Sequence, residues 1–150
     1  MPKQAVPPIY PAAFSFKVEV TGVKGPYEGS FQEVSGISVK LNTEPLKEGG
    51  ENTFIRRLPL PPQYENLILK RGVVLNSGLI GWARDAVEKF MIKPATVDVS
   101  LLDATQLPIA TWSFLNAYPV ALKISELKAQ ENAIACEILE LAYDSFKRIK

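Results

Sequence analysis

The stretch from Phe31 to Gly72 constrains the fold more than any other part of the chain. Apolar residues alternate at Ile37, Val39 and Leu41, and again at Leu67 and Leu69, the period of half-buried strands. Between the two runs lie about two dozen residues carrying Glu44, Lys47, Glu48, Glu51, Arg56 and Arg57, with Gly49-Gly50 at the centre. Connections in compact domains usually run about 4–6 residues, and hairpin loops about 2–5. A connection this long must fold on itself or reach out to touch something else. It reads as an arm over about residues 42–60.

The rest of the chain supplies a body to carry it. Residues 1–13, broken by Pro7, Pro8 and Pro11, form a proline-stiffened leader without the continuous apolar run of a secretory signal. Residues 14–150 read as one domain. Phe14, Phe16, Val18 and Val20 alternate with Ser15, Lys17, Glu19 and Thr21, a clean strand. Gly22 to Gly29, with Pro26 inside, reads as a turn cluster. A second strand starts near Ser30, and a bulge at Gly36 would reconcile Val34 with Ile37. Pro59, Pro61 and Pro62 predict that the chain stays out of any ladder until a third strand over Asn66–Arg71.

One helix is expected over about 78–92, with Asn76 or Ser77 as cap and Lys93-Pro94 as its end. Leu79, Ile80, Ala83, Ala86, Val87, Phe90 and Met91 form its apolar stripe, and Arg84 with Glu88 and Asp85 with Lys89 form i,i+4 pairs opposite. Beyond it, Val97, Val99 and Leu101 alternate. A turn over Asp103–Pro108 leads into a strand with Trp112 and Phe114 on one face, which Pro119 interrupts. The run Ala133–Phe146 changes parity at Ile138-Leu139, through a bulge or burial on both faces. The fold class is mainly β: two antiparallel sheets forming a sandwich or barrel, one flanking helix and a long projecting β-arm.

Composition narrows the chemistry. With no histidine among 150 residues, a Ser-His-Asp triad, a Cys-His pair and the common zinc sites are impossible. Neither phosphate-binding glycine motif occurs, and Gly49-Gly50 reads as the turn at the arm's tip. The single cysteine, Cys136, sits among apolar neighbours and reads as a small buried hydrophobe. A net charge of +1 makes no bulk case for nucleic acid or a membrane surface. No catalytic residue, cofactor or metal ligand is assigned. The sixteen Asp and Glu residues leave a carboxylate-dependent hydrolase open, and a monomeric module using the arm as a ligand loop is a further alternative. Mixed charges on a projecting loop favour a docking surface, on which complementary potentials set register.

FxFKVEV near the start, FQEVSGI, the EGGEN tip with the following RRLP, NLILKRG, W-x-R-D in the helix, VSLLD, and TWSFLNAYPV followed by ILELAY together resemble the inner tail-tube family. That family builds the tube of contractile phage tails and phage-like injection particles, and is related to the haemolysin-coregulated protein of type VI secretion. The resemblance spans about Phe14 to Phe146. It implies a non-enzymatic subunit of hexameric rings that stack into a hollow tube, with sheath, baseplate and tube-initiator proteins as partners and a protein effector or DNA as lumen cargo. It also implies a protein made in the cytoplasm, without membrane insertion, that becomes part of a particle. The proline-rich leader suggests a specialised ring joining tube to baseplate as the alternative. The residues implied in subunit and inter-ring contact are Glu44, Lys47, Glu48, Gly49, Gly50, Glu51, Asn52, Arg56 and Arg57.

Overall fold

A computed structural model describes residues 15–22, 27–47, 49–50, 53–73, 77–125 and 135–150, with only the backbone at 27 and 28. Its strands are β1 (Ser15–Thr21), β2 (Tyr27–Phe31), β3 (Glu33–Ser35), β4 (Val39–Leu46), β5 (Arg56–Tyr64), β6 (Leu67–Gly72), β7 (Ala95–Leu102), β8 (Pro108–Ile124), β9 (Cys136–Ala142) and β10 (Ser145–Arg148). The helix α1 spans Gly78–Lys89. Strands β2, β1, β7, β8 and β10 form one antiparallel sheet, and β3, β6, β9 and β8 form the second.

Two stretches of chain belong to both sheets. The first half of β8 pairs with β7 and β10, and its second half pairs with β9. The bend falls at Asn116, whose φ of 52° is one that asparagine tolerates better than most residues. Asn116 Nδ2 donates to Asp144 Oδ2 at 2.7 Å, and the Asp144 amide donates to the Leu115 carbonyl at 3.0 Å. On the far side, β2 pairs with β1 and β3 pairs with β6, separated by Gln32 alone. The Gln32 amide donates to the Lys70 carbonyl at 3.0 Å. The two corners turn a sandwich into a nearly closed barrel.

Alternation fills the interior. Val18, Val20, Val97, Val99, Phe114, Leu67, Leu69, Leu139 and Leu141 are almost fully buried. The last run needs no bulge of its own: Glu137, Leu139 and Leu141 point inward, while Cys136, Ile138 and Glu140 are half-buried outside. The irregularity lies in β8, between Pro119 and Ala121. Cys136 is therefore half-buried, not a core residue.

Several other expectations are corrected. Pro119 lies within β8, paired with Leu141 and buried. β7 begins at Ala95, opposite Ala117, so the side of β8 that would need a donor at Pro119 has no partner strand. Gly29 stands inside β2, not in a turn, and a Cβ there would lie 2.7 Å from the Arg71 guanidinium, which accounts for glycine at this position. The helix stops at Lys89, with Phe90 left-handed and the Met91 amide bonded to the Asp85 carbonyl at 2.9 Å. Its buried face is Leu79, Trp82, Ala83 and Ala86, whereas Val87, Phe90 and Met91 are exposed. Trp82 belongs inside because its Nε1 donates to the Lys93 carbonyl at 3.0 Å. The two i,i+4 pairs form as expected, Arg84–Glu88 at 3.3 Å and Lys89–Asp85 at 3.2 Å.

Arg71 ties the closing corner together. It lies opposite Glu137 in the β6–β9 ladder, with both side chains more than nine-tenths buried and Nε 3.5 Å from Oε2. Its Nη2 donates to Ser77 Oγ at 2.7 Å, and its Cζ stands 4.8 Å from the Phe31 ring centroid. Ser77 occupies the N-cap position of α1, but its side chain makes no capping bond. One side chain thus joins both sheets and the helix start. Glu137→Gln, which leaves Arg71 an uncompensated buried cation, is expected to cost about 3–5 kcal/mol in urea unfolding. The apolar pair Arg71→Met/Glu137→Leu should recover most of that loss.

Candidate assembly surface

Among the described residues β4 and β5 pair only with each other, forming a ribbon outside the barrel. It runs from Val39 to Tyr64, longer at its base than the 42–60 of the sequence reading. The expectation that Pro59, Pro61 and Pro62 keep the chain out of a ladder is overturned, because all three lie in β5. Pro62 pairs with Leu41 and Pro59 with Thr43, so three steps on β5 oppose two on β4. The extra residue reverses parity and lets prolines at an odd and an even position both turn their nitrogen away from β4. Pro45, opposite Arg57, falls in the same class of pair as Pro59.

The register sorts the ribbon into two unlike faces. One carries Val39, Leu41, Thr43 and Pro45 from β4 with Tyr64, Pro62, Pro59 and Arg57 from β5. The other carries Lys40, Asn42, Glu44 and Leu46 with Gln63, Leu58 and Arg56. The first is apolar up to Arg57, and except for Tyr64 it is exposed along its whole length. The second is mixed and polar, with Asn42 Nδ2 donating to Gln63 Oε1 at 2.7 Å. Phe54 and Ile55, near the tip, are also exposed, and Arg56 Cζ lies 5.7 Å from the Phe54 ring centroid. A two-stranded ribbon with apolar side chains in water is marginal by itself.

Its root is rigid. Tyr64 packs edge-on against Tyr143 and Phe146, with ring centroids at 5.8 and 5.5 Å, and Phe114 joins them to the core. Gly36 ends β3 with φ of 84°, and a Cβ there would collide with the Asn66 carbonyl oxygen. Gly36 is thus the exit of the chain from the barrel, not a bulge within a strand. Asn66 Nδ2 donates to Glu140 Oε1 at 2.9 Å on the return side.

The expected contact residues are placed unequally. Glu44 is exposed opposite Leu58, and Lys47 is exposed just past the end of β4. Gly49 and Gly50 form the tip turn, Gly50 with φ of 92°. Arg56 and Arg57 lie on opposite faces. Glu48, Glu51 and Asn52 fall outside the described residues. The apolar face, Val39, Leu41, Pro45, Pro59 and Pro62, is what the sequence reading missed. The proline spacing was its signal, read there as ladder-breaking.

A cavity of about 400 Å³ is lined by Ser15, Ser30, Phe31, Gln32, Arg71, Gly72 and Val73, and its cation is held by Glu137 and Ser77. Among the described residues no group of three or more His, Cys, Asp or Glu is placed to hold a metal. No described helix is long and apolar enough to cross a membrane.

The family model of the T4-like virus tail tube protein gp19 matches residues 12–147. The chain belongs to that tail tube family. A chain in the baseplate of the anti-feeding prophage is 28% identical, with a TM-score of 0.82 and 97% of each chain covered. A chain in the sheath–tube complex of an extracellular contractile injection system, PVC, is 24% identical, with a TM-score of 0.74 over 94% of this chain and 89% of that one. Hcp1 from Flavobacterium johnsoniae shares the fold at 14% identity, with a TM-score of 0.58 over 91% and 95% of the two chains. No curated protein matches the chain.

Tyr143 gives the tube-family arm a measurable root. Burial first, then Tyr64 and Glu65 nearby, push its hydroxyl from 10.0 up to about 12. The folded value exceeds the unfolded one, so the associated stability is complete below pH 10 and is lost as pH rises through about 12. Tyr143→Phe should remove that part of the alkaline loss when unfolding midpoints are compared across the range. Gly36→Ala should cost about 1–3 kcal/mol from its backbone conformation alone, before the clash with Asn66.

Proposed function

We propose that this chain is a structural subunit of the inner tube of a contractile injection system or phage tail. Hexameric rings stack into a hollow tube that sheath contraction propels, and the subunit has no turnover. The observation that carries the reading is a projecting ribbon with an exposed apolar face, on a chain that matches the tube family over residues 12–147. In a ring of identical copies that face has a partner without any further protein: the neighbouring subunit or the next ring. Lys47, Gly49, Gly50 and Arg57 then serve the same contact, and Glu44 and Arg56 lie on the opposite face of the ribbon; Glu48, Glu51 and Asn52 belong to the same proposal of subunit contact. Sheath and baseplate proteins are the remaining partners, and the particle is where the protein acts.

A second reading, the specialised first ring that joins tube to baseplate, is favoured by one observation. The 28% identical chain belongs to a baseplate structure. Negative-stain microscopy with a solution mass separates the two: stacked tubes from the purified protein identify the main tube, and rings that stack only with tube or baseplate components identify the first ring.

The register makes the arm's role testable by single residues. Leu41 is 59% exposed, so Leu41→Asp should leave monomer stability within about 0.5 kcal/mol. It should nevertheless abolish assembly. Arg57→Glu, on the apolar face, should impair stacking more than Arg56→Glu on the opposite one. Normal assembly by Leu41→Asp, or equal effects of the two arginine reversals, would show that the apolar face is not the contact.

A further inference from the structure

The arm and the cavity beside Arg71 lie at opposite ends of the same two strands. β3 and β6 run antiparallel, with Glu33 opposite Lys70 and Ser35 opposite Ile68. The chain leaves β3 for the arm at Gly36 and comes back to β6 at Asn66, so both roots of the ribbon stand at one end of this pair. Gln32, just before β3, and Gly72 and Val73, at the finish of β6, stand at the other end, and all three line the cavity of about 400 Å³. The six residues of β6 put about 20 Å between the two ends.

The cavity's own chemistry decides what it takes. Its cation is already balanced, because Arg71 lies 3.5 Å from Glu137 Oε2, donates to Ser77 Oγ and stacks on Phe31. An anion entering here would meet a carboxylate as well as a guanidinium and would gain little. What the cavity offers instead is the Phe31–Arg71 stack and Val73, which is 41% exposed at its edge. Guanidinium faces and aromatic rings take a further ring or an aliphatic side chain. The volume falls within the roughly 300–1,000 Å³ of cavities that seat a ligand.

The arm carries side chains of that kind near its tip. Phe54 is 53% exposed and Ile55 66%, and both precede Leu46–Arg56, the outermost pair of the ribbon. Resting on the tube reading above, we infer that the Arg71 cavity is a socket for the arm of a second copy in the next ring, and that it seats Phe54 and Ile55 on the Phe31–Arg71 stack and Val73. Knob and socket at opposite ends of one molecule make a heterologous contact, which repeats along an axis and does not close on itself. Every ring then offers arms at one end and sockets at the other. The Glu137 carboxylate serves this contact as well as the barrel corner: with Arg71 neutralised, Arg56 beside Phe54 brings its charge to a socket without a net charge of its own.

The test uses particles assembled from a Cys136→Ala chain that also carries Phe54→Cys and Val73→Cys, treated with a short bis-maleimide. Denaturing gels should show a ladder running past six copies, because each subunit is joined to one in the next ring, while either single-cysteine chain stays monomeric. A ladder that stops at six copies or fewer places the tip within its own ring, and no cross-link in tubes places it elsewhere; either result overturns the socket. Phe54→Asp and Val73→Trp, both at exposed positions, give a second measurement should the double variant fail to assemble. Rings of either variant alone should lose stacking, whereas mixing the two kinds of preformed ring should give ring pairs that grow no further. Tubes from either variant alone, or no pairs on mixing, overturn the socket. Wild-type assembly is scored separately by microscopy, alone and with tube and baseplate components. Its absence overturns the tube reading and the socket with it, whereas wild-type tubes without the ladder or the ring pairs overturn only the socket.

Discussion

The fold depends on one strand serving two sheets. β8 is seventeen residues long, and no single flat sheet would use all of it. Its first half completes the sheet with β7, its second half completes the sheet with β9, and the bend at Asn116 sets the angle between them. From Pro119 back to Trp112 the end of β9 and β10 follow it in one register, Tyr118 with Ala142 and then Leu115 with Ser145, so the bent hairpin carries the corner across two strands. Once that corner exists, β2 and β3 need only turn at Gln32 to bring the far edges together, and Arg71 is placed where the closing elements meet. The buried ion pair is better understood as fixing that meeting than as adding net stability, since desolvation offsets much of what two buried charges gain from each other.

Closing the barrel decides where assembly can occur. Most strand edges are consumed internally, so few backbone donors remain to recruit another chain. Among the described residues β2, β3 and β10 each pair with a single strand, and the ribbon β4–β5 has both of its outer edges open. Its position is nevertheless well defined. The ring cluster of Tyr64, Tyr143, Phe146 and Phe114 holds one strand, and the left-handed turn at Gly36 holds the other. A packed root limits the conformational freedom that a projecting arm would lose on docking.

Sequence patterning made the body legible and the arm only half so. Alternation at Val18 and Val20, at Val97, Val99 and Leu101, and at Leu67 and Leu69 reports strands because each has one wet and one buried face. The helix was placed to within a few residues, yet its stripe was misread at Val87, Phe90 and Met91. Apolar character alone does not separate a residue that meets its own core from one left exposed, and Trp82 was missed because its indole is fixed by a distant carbonyl. Gly29 looks like a turn residue until the Arg71 guanidinium is seen in its place. The arm's charges were visible, but their sorting was not: Arg56 and Arg57 are adjacent in sequence and opposed in space, a separation fixed by strand register.

The prolines connect these observations. A proline in a strand removes a donor, which is why Pro59, Pro61, Pro62 and Pro119 read as interruptions. In a two-stranded ribbon the lost donor faces outward, and in β8 it faces the side where β7 has not yet begun. These residues therefore cost the ladders little, while depriving exposed edges of groups that would capture a stray strand. The ribbon keeps an apolar face and blunts its edges. An arm built this way discriminates by the fit of side chains rather than by backbone pairing, which accepts almost any extended segment. For a subunit present in many copies that distinction matters. Edge pairing would let copies join in any register, whereas the contact proposed here, a face bounded by Val39 at the root and Arg57 towards the tip, would restrict the seating.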